Sequence, residues 1–436
     1  MLKADCVVLP ETIDQVQKIV RLAKANNIPI TFKNGGHGYQ GSSTADGGIL
    51  LDLFRMNKAK LDMNEEVVTI DGGALWGTVY KQLSKDKIDG YIINGGRCNT
   101  VGVSGFILGG GLGPFTRSFG MGSDTLLEAT IITADGNRVT AKATDDPESG
   151  KGKLFWALCG AGGGNFGVVV ELKLKVQKLS NQEKKVVAGR FMWYPEPEDD
   201  LLGTMDRFYT TNWTNQMTLD SSWWKEEIVK AYPDNRSFSL YASFVFGNDS
   251  ATIEAGTAIV NEELRAFRKN FKGEQVLAQV TFIHSGGQAT AKHSSETAFP
   301  WHDAIEPFSI MRRAAFINFP DSAIRPDAHE RAYFGGNRER LQEVKRIWDK
   351  DGFFEWAQGV KLLNTNQPTL EDLPTISTDP DEAYISDEDQ FSAEESEESD
   401  SDTLVERRVQ REWDNYTPSQ GDDFEGMFDL PWWAQP

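Results

Sequence analysis

Asn34-Gly35-Gly36-His37-Gly38-Tyr39-Gln40-Gly41 and Gly95-Gly96-Arg97-Cys98-Asn99-Thr100-Val101-Gly102-Val103-Ser104-Gly105 are the two stretches on which the reading of this chain turns. The second continues into Gly109-Gly110-Gly111-Leu112-Gly113, and a third glycine run follows at Gly160-Ala161-Gly162-Gly163-Gly164-Asn165-Phe166-Gly167. Segments so poor in side chains let the backbone approach a ligand closely. Their successive N–H groups form concavities that bind anions. Each of the first two loops also carries one nucleophile, His37 or Cys98. That combination suits covalent attachment of a phosphorylated cofactor. Gly36-x-Gly38-x-x-Gly41 and Gly162-x-Gly164-x-x-Gly167 have the glycine spacing of a Rossmann unit, but a strand rather than the required helix is read after each, and no run has the Lys-Ser/Thr ending of a phosphate loop.

The flanks of these loops read as alternating strands and helices. Residues 6–9 form a short apolar strand, and Thr12 with Gln15 has the spacing of a capping box. Val16, Ile19, Val20 and Ala23 then share one helical face. Residues 28–32 are a second strand that delivers the chain into the His37 loop, and strands are expected at 48–53 and 67–71. Residues 76–83 read as a helix ahead of the Cys98 loop. Asp135-Gly136 marks a hairpin turn between strands at 127–134 and 137–140. An apolar segment at 154–158 runs into the third glycine run, and a strand at 168–176 follows it.

From about residue 185 the texture changes. Strand-like runs at 187–193, 237–246 and 275–282 are interrupted by a helical stretch at 250–270. This predicts an antiparallel sheet covered by helices, so the fold class is α+β. Near Glu330 a helix begins again, with Leu341, Val344 and Ile347 on its apolar side and Arg338, Glu339, Arg340 and Lys345 on the other.

Composition excludes several functions. Of 65 acidic and 45 basic residues, 21 acids but only 3 bases lie beyond residue 370, so the net charge of −20 belongs almost entirely to the tail. No basic stripe interleaves with aromatics, so no nucleic-acid partner is expected. No apolar run approaches the ~18 residues needed to span a bilayer. The three cysteines, Cys6, Cys98 and Cys159, match no disulfide framework or zinc spacing. No two of the remaining histidines, His284, His293, His302 and His329, share metal-ligand spacing, so no metal is expected. Cys159 reads as a buried, small apolar side chain. Residues 367–436 are Ser-, Glu- and Asp-rich and are expected to be disordered. Their end, Met427-Phe428-Asp429-Leu430-Pro431-Trp432-Trp433, reads either as a docking peptide for a protein partner or as a sticky terminus. As written, the N-terminus has no secretory core, which predicts a cytoplasmic protein; a missing leader would make it a secreted one.

The ordered set of glycine loops with His37 and Cys98 resembles the FAD-linked oxidases of the vanillyl-alcohol oxidase type, with a PCMH-type FAD-binding domain. Within these it is most similar to the berberine-bridge-enzyme-like group that includes fungal oligosaccharide oxidases. The resemblance covers roughly residues 5–180 and 310–365. It implies an FAD-binding domain of two α+β subdomains over residues 1–180 and a substrate-binding domain over 181–315. A segment returning to the FAD domain would occupy 316–366, ahead of the acidic tail at 367–436. It further implies that His37 bonds the flavin 8α-methyl and Cys98 bonds C6. Asn34, Gly35, Gly36, Gly38, Tyr39 and Gln40 would cradle the pyrophosphate. Gly102, Gly105, Gly113, Gly160, Gly164, Asn165 and Val168 would wrap the ADP and ring, and Asn337 would return to the flavin. Two bonds would fix the ring and raise its potential. Val101 stands where relatives keep a small gate for dioxygen, which favours an oxidase forming hydrogen peroxide over a dehydrogenase using another acceptor. The substrate would be a small molecule, an alcohol or amine of a metabolite or sugar.

One departure concerns the base. Relatives present Ala-Tyr-x-Asn-Tyr, whereas this chain has Ala315-Phe316-Ile317-Asn318-Phe319. A phenyl ring cannot accept a proton, and a general base is worth roughly 10²–10⁴-fold. Three readings stay open: Tyr39 serves instead, the substrate is an amine that needs no base, or the protein is catalytically weak and acts as a scaffold. Phe106 replaces a histidine frequent in plant members, and Cys159 replaces a frequent arginine.

Overall fold

A capping box starts the first helix. The Thr12 hydroxyl accepts from the Gln15 amide at 3.3 Å, and Gln15 Oε1 accepts from the Thr12 amide at 3.3 Å. Helix α1 (Ile13–Ala25) then turns Val16, Val20 and Ala23 into full burial. It crosses from β1 (Cys6–Val8) to β2 (Ile30–Lys33), both of which pair in parallel with β3 (Ile49–Asp52) to give the order β1-β3-β2. Parallel neighbours need such a crossover, which explains why the helix precedes the His37 loop.

A second, five-stranded antiparallel sheet contains β4 (Ala59–Asp62), β5 (Val67–Asp71), β7 (Leu126–Ile132), β8 (Arg138–Lys142) and β9 (Val168–Lys175), ordered β4-β5-β9-β7-β8. Its hairpin closes at Asp135-Gly136, with Gly136 at φ 70° as the turn demands. Strand β9 serves two cores. Val168 and Val170 pack into the core under α1, while Leu172 and Leu174 belong to a larger one. Glu171, Lys173 and Lys175 alternate outward between them. The larger core also takes Trp76 and Val79 from α2 (Trp76–Lys85), Val103 and Ile107 from α3 (Val103–Leu108), and, beyond the short α4 (Thr116–Phe119), Trp156 from α5 (Gly150–Leu158). A short pair, β6 (Tyr91–Ile92) with β10 (Gln177–Lys178), sits beside the Cys98 loop.

The computed structural model describes residues 3–38, 41–85, 88–182, 249–272, 286–302, 314–321 and 328–362, with isolated positions at 184, 200, 203, 245 and 324. These lie within one compact unit, Met1–Leu363. The strand runs expected at 187–193 and 275–282, nearly all of the run at 237–246, and the acidic tail lie outside the described residues. The helix expected at 250–270 is α6 (Ser250–Asn270), capped by the Asp249 side chain on the Thr252 amide at 2.9 Å. No helix among the described residues is long and apolar enough to cross a membrane.

Two expectations for the C-terminal helices need correction. In α8 (Arg338–Trp348), Leu341 and Val344 are buried, but Ile347 is 47 % exposed. Each three-residue step falls about 60° behind a full turn, so by Ile347 the stripe has moved on and Trp348 packs against the core instead. Lys345, expected on the solvent side, is fully buried. Its ammonium donates to the Asn165 carbonyl at 2.7 Å and the Phe354 carbonyl at 2.5 Å, and pairs with Asp349 Oδ2 at 2.7 Å. Burial pulls its pKa down, and Asp349 opposes that shift. Ahead of it, α7 (His329–Phe334) adds Tyr333 and Phe334 to the larger core.

Candidate active site

The His37 loop leaves β2 and meets the Cys98 loop backbone to backbone. A Cβ on Gly35 would lie 2.5 Å from the Gly102 nitrogen and 2.7 Å from the Thr100 carbonyl oxygen. A Cβ on Gly102 would lie 2.7 Å from the Gly35 nitrogen. Glycine at both positions is therefore a steric requirement, and each loop holds the other. Asn34 locks the crossing: its Nδ2 donates to the Gly72 carbonyl at 2.6 Å and to Ser104 Oγ at 3.2 Å, and Ser104 donates to the same carbonyl at 2.6 Å.

Both nucleophiles converge on one hydroxyl. His37 Nε2 lies 3.0 Å from Thr100 Oγ1, and Cys98 Sγ lies 3.1 Å from the same oxygen. Burial holds the His37 imidazole below its usual pKa, which keeps the ring neutral and nucleophilic near pH 7. Cys98 is half-buried, and Cys159 is fully enclosed with its thiol pushed up to about 12 by burial, the behaviour of an inert core thiol.

Aromatic residues back the Cys98 loop. Gly95 and Gly96 lie against the Trp76 ring, where a side chain on Gly95 would collide and one on Gly96 would be crowded. Trp76 stacks on Tyr80 at 5.5 Å and meets Phe106 edge-on at 5.2 Å. The Tyr80 hydroxyl donates to the Gly96 carbonyl at 2.8 Å, and burial raises its pKa well above the ordinary phenol value. Gly113 packs against the Gly95 carbonyl, so the next glycine run joins the same cluster. Val101 is half-buried against the larger core, and its carbonyl accepts the Trp76 amide at 3.1 Å.

The third glycine run abuts a different wall. Gly160, at φ 139°, lies against the Phe299 backbone, and the Gly162 amide donates to Leu108 at 2.8 Å. Gly164 also has positive φ, at 80°. Asn165 is buried, with Oδ1 accepting the Val360 amide at 2.9 Å and Nδ2 donating to Ala161 at 2.8 Å. Val168 faces the core under α1. Asn337 is tied elsewhere: its Nδ2 donates to Ser294 at 2.7 Å and Thr297 at 3.1 Å. Those bonds occupy both of its amide hydrogens.

Tyr39 and Gln40 lie outside the described residues. Phe316 and Phe319 meet edge-on at 5.4 Å in a small apolar cluster with Met121 and Phe299. Asn318, between them, donates to the Phe106 carbonyl at 3.0 Å, which draws this segment onto α3. Thr100, Ser104 and Trp76 were not singled out from sequence. Only Thr100 carried a signal, its place between Cys98 and Val101; the other two are revealed by packing alone.

The residues fit a pyrophosphate-bearing cofactor. Among the described residues, the backbone N–H groups of Gly35, Gly36, Gly38, Gly96, Cys98 and Thr100 donate to no backbone carbonyl. Asn34 Oδ1 and Trp76 Nε1 are buried without a hydrogen-bond partner. Buried polar atoms left this way call for an explanation, and a bound ligand is one. Gly105 adds a second: it sits inside α3, is exposed, and a Cβ there would touch nothing within 4 Å. Glycine inside a helix costs roughly 0.5–1 kcal/mol relative to alanine, with no packing reason for it here. The open space beside Gly105 accounts for it if a ligand fills that space.

Comparison with known proteins agrees. Residues 4–142 match the FAD binding domain family, and residues 315–361 match the berberine and berberine-like family. The FAD-linked oxidoreductase FogF of Aspergillus ruber is 32 % identical over 426 residues, covering 80 % of this chain and 84 % of that protein. (R)-6-hydroxynicotine oxidase of Paenarthrobacter nicotinovorans is 38 % identical over 180 residues, spanning 41 % of this chain and only 37 % of that enzyme. A solved structure of glucooligosaccharide oxidase from Acremonium strictum, described with a 6-S-cysteinyl, 8α-N1-histidyl FAD, superposes with a TM-score of 0.59 at 19 % identity. It covers 83 % of this chain and 93 % of that one. The fold is thus the mixed α+β fold of the PCMH-type, berberine-bridge-enzyme-like oxidases. By its two family matches and its near full-length likeness to FogF, the chain belongs to the berberine-bridge-enzyme-like FAD-linked oxidoreductases and is an FAD-dependent enzyme.

Proposed function

We propose that this enzyme is an oxidase whose FAD is held by two covalent bonds, through His37 at the 8α-methyl and Cys98 at C6. The observation that carries this reading is the convergence of His37 Nε2 and Cys98 Sγ on the Thr100 hydroxyl, at 3.0 and 3.1 Å. The 8α-methyl and C6 belong to one ring of the flavin, so residues that attach there must stand side by side. When bound, FAD accepts a hydride from the substrate carbon and returns two electrons to dioxygen, forming hydrogen peroxide. The chain's residues supply binding and orientation. Backbone donors of Gly35, Gly36 and Gly38 would neutralise the pyrophosphate, Gly105 leaves it room, and Trp76 and Phe106 back the loop that carries Cys98. Val101 keeps a small side chain next to that loop, which supports access for dioxygen.

The substrate is a small molecule bearing a hydroxyl or amino group on the carbon that is oxidised. Phe316 and Phe319 cannot take a hydroxyl proton, so Tyr39 is the base for an alcohol. An amine substrate needs none, because its own lone pair drives loss of the hydride. The kinship with (R)-6-hydroxynicotine oxidase supports including amines. A screen of sugars, phenolic alcohols and amines by peroxide release tests this reading. One class should release peroxide in step with turnover, and the reduced enzyme should reoxidise in air within seconds. Reoxidation over minutes would make the protein a dehydrogenase with another acceptor.

A further inference from the structure

We infer that Thr100 is a positioning residue for cofactor attachment: its single hydroxyl accepts a hydrogen bond from His37 Nε2–H and donates its own proton towards Cys98 Sγ, presenting both nucleophiles in reactive form. The inference rests on the tethering proposed above. Its physical basis is the pair of contacts at 3.0 and 3.1 Å to one oxygen. A hydroxyl carries one proton and accepts through two lone pairs, so it can serve one neighbour as acceptor and the other as donor at once.

The orientation has chemical consequences. With the proton on Nε2, the imidazole's lone pair lies on Nδ1, which becomes the nucleophile toward the 8α carbon. A hydrogen bond from Thr100 to sulfur stabilises a thiolate, the reactive form of Cys98. His37 Nδ1 forms its bond to the 8α carbon as that carbon loses a proton, and the Nε2 proton is released to water. Cys98 Sγ forms its bond to C6 as the C6 hydrogen departs. Each bond leaves two electrons on the ring, and dioxygen takes each pair as hydrogen peroxide. The backbone fixes this arrangement: Gly35 packs on the Thr100 carbonyl, and the Val101 amide donates to Cys98 at 3.3 Å.

The experiment compares wild type with T100V and T100S, each expressed and purified with its flavin. Protein is precipitated in acid, flavin is measured in pellet and supernatant, and the His37 and Cys98 peptides are weighed by mass spectrometry. Wild type and T100S should keep the flavin in the pellet with mass added at both peptides. T100V should carry FAD that acid releases, with attachment slowed about a hundredfold, as expected when reacting groups are misplaced. T100V tethered like wild type overturns the inference. So does T100V with no flavin in either fraction, because the hydroxyl would then serve binding rather than attachment. T100S behaving like T100V overturns it as well. A wild-type pellet without colour defeats the tethering reading itself, and is thereby distinguished from a failure confined to Thr100.

Discussion

The two paired glycine loops and the C-terminal helix α8 treat polar groups in opposite ways. Among the described residues of the loops, the N–H groups of Gly35, Gly36, Gly38, Gly96, Cys98 and Thr100 donate to no backbone carbonyl, and Asn34 Oδ1 and Trp76 Nε1 are buried unpaired. In the C-terminal region, Lys345 makes three bonds and the amide hydrogens of Asn337 are taken by main-chain carbonyls. Burying an unpaired polar group costs about 1–3 kcal/mol. A protein tolerates that in one place when a ligand supplies the missing partners. The first region is therefore built to receive something, and α8 to hold its own polar groups within the fold.

The sharpest way to break this comparison is at Lys345. Lys345→Ala leaves Asp349 charged and enclosed and strips a donor from Asn165 and Phe354. It should lower unfolding free energy by about 3–5 kcal/mol in urea titrations. A loss below about 1 kcal/mol, the value of a surface pair, would mean that the ammonium does not close the C-terminal region. Gly105→Ala probes the other side. Alanine meets no protein atom within 4 Å, so the flavin-free protein should be unchanged or stabilised by about 0.5–1 kcal/mol, while FAD content at purification falls severalfold. Unchanged FAD content would remove Gly105 from the ligand site. The smallest effect concerns His37. Its folded pKa is depressed, so the unfolded chain binds the proton more readily. Its stability penalty is absent well above about pH 6.5 and develops as pH falls through that value. Denaturation midpoints of flavin-free wild type and H37N should coincide at pH 8 and diverge below pH 6, wild type falling faster. Parallel curves would mean that the imidazole is not desolvated in the apoprotein.

Local signals were legible where local physics decides. The Thr12–Gln15 box, the Asp135-Gly136 turn and the 3.6-residue stripe of α1 are properties of a few adjacent residues, and the structure reproduces all three. The glycine loops were legible because so many φ-permissive residues rarely gather without a ligand or a close approach. Where sequence reading failed, the deciding partner was far away in the chain. Lys345 looks like a solvated lysine until Asn165, 180 residues earlier, presents a carbonyl to it. Strand β4 drew no expectation from sequence and is set by β5, which pairs with it in register, Asp62 opposite Val67. Asn337, expected beside the flavin, also has amide hydrogens held by the Ser294 and Thr297 carbonyls, contacts that no local pattern announces.

What the amino-acid sequence determined alone was the inventory: glycine where the backbone must come close, one imidazole and one thiol among those glycines, and a family frame that names FAD. What the tertiary structure decided was the meeting of that imidazole and that thiol at Thr100, and the burial that keeps the imidazole neutral. Residue type and spacing are encoded along the chain, whereas the distance between His37 and Cys98 arises only when two loops cross. That crossing is set by backbone contact between Gly35 and Gly102, which no linear pattern records.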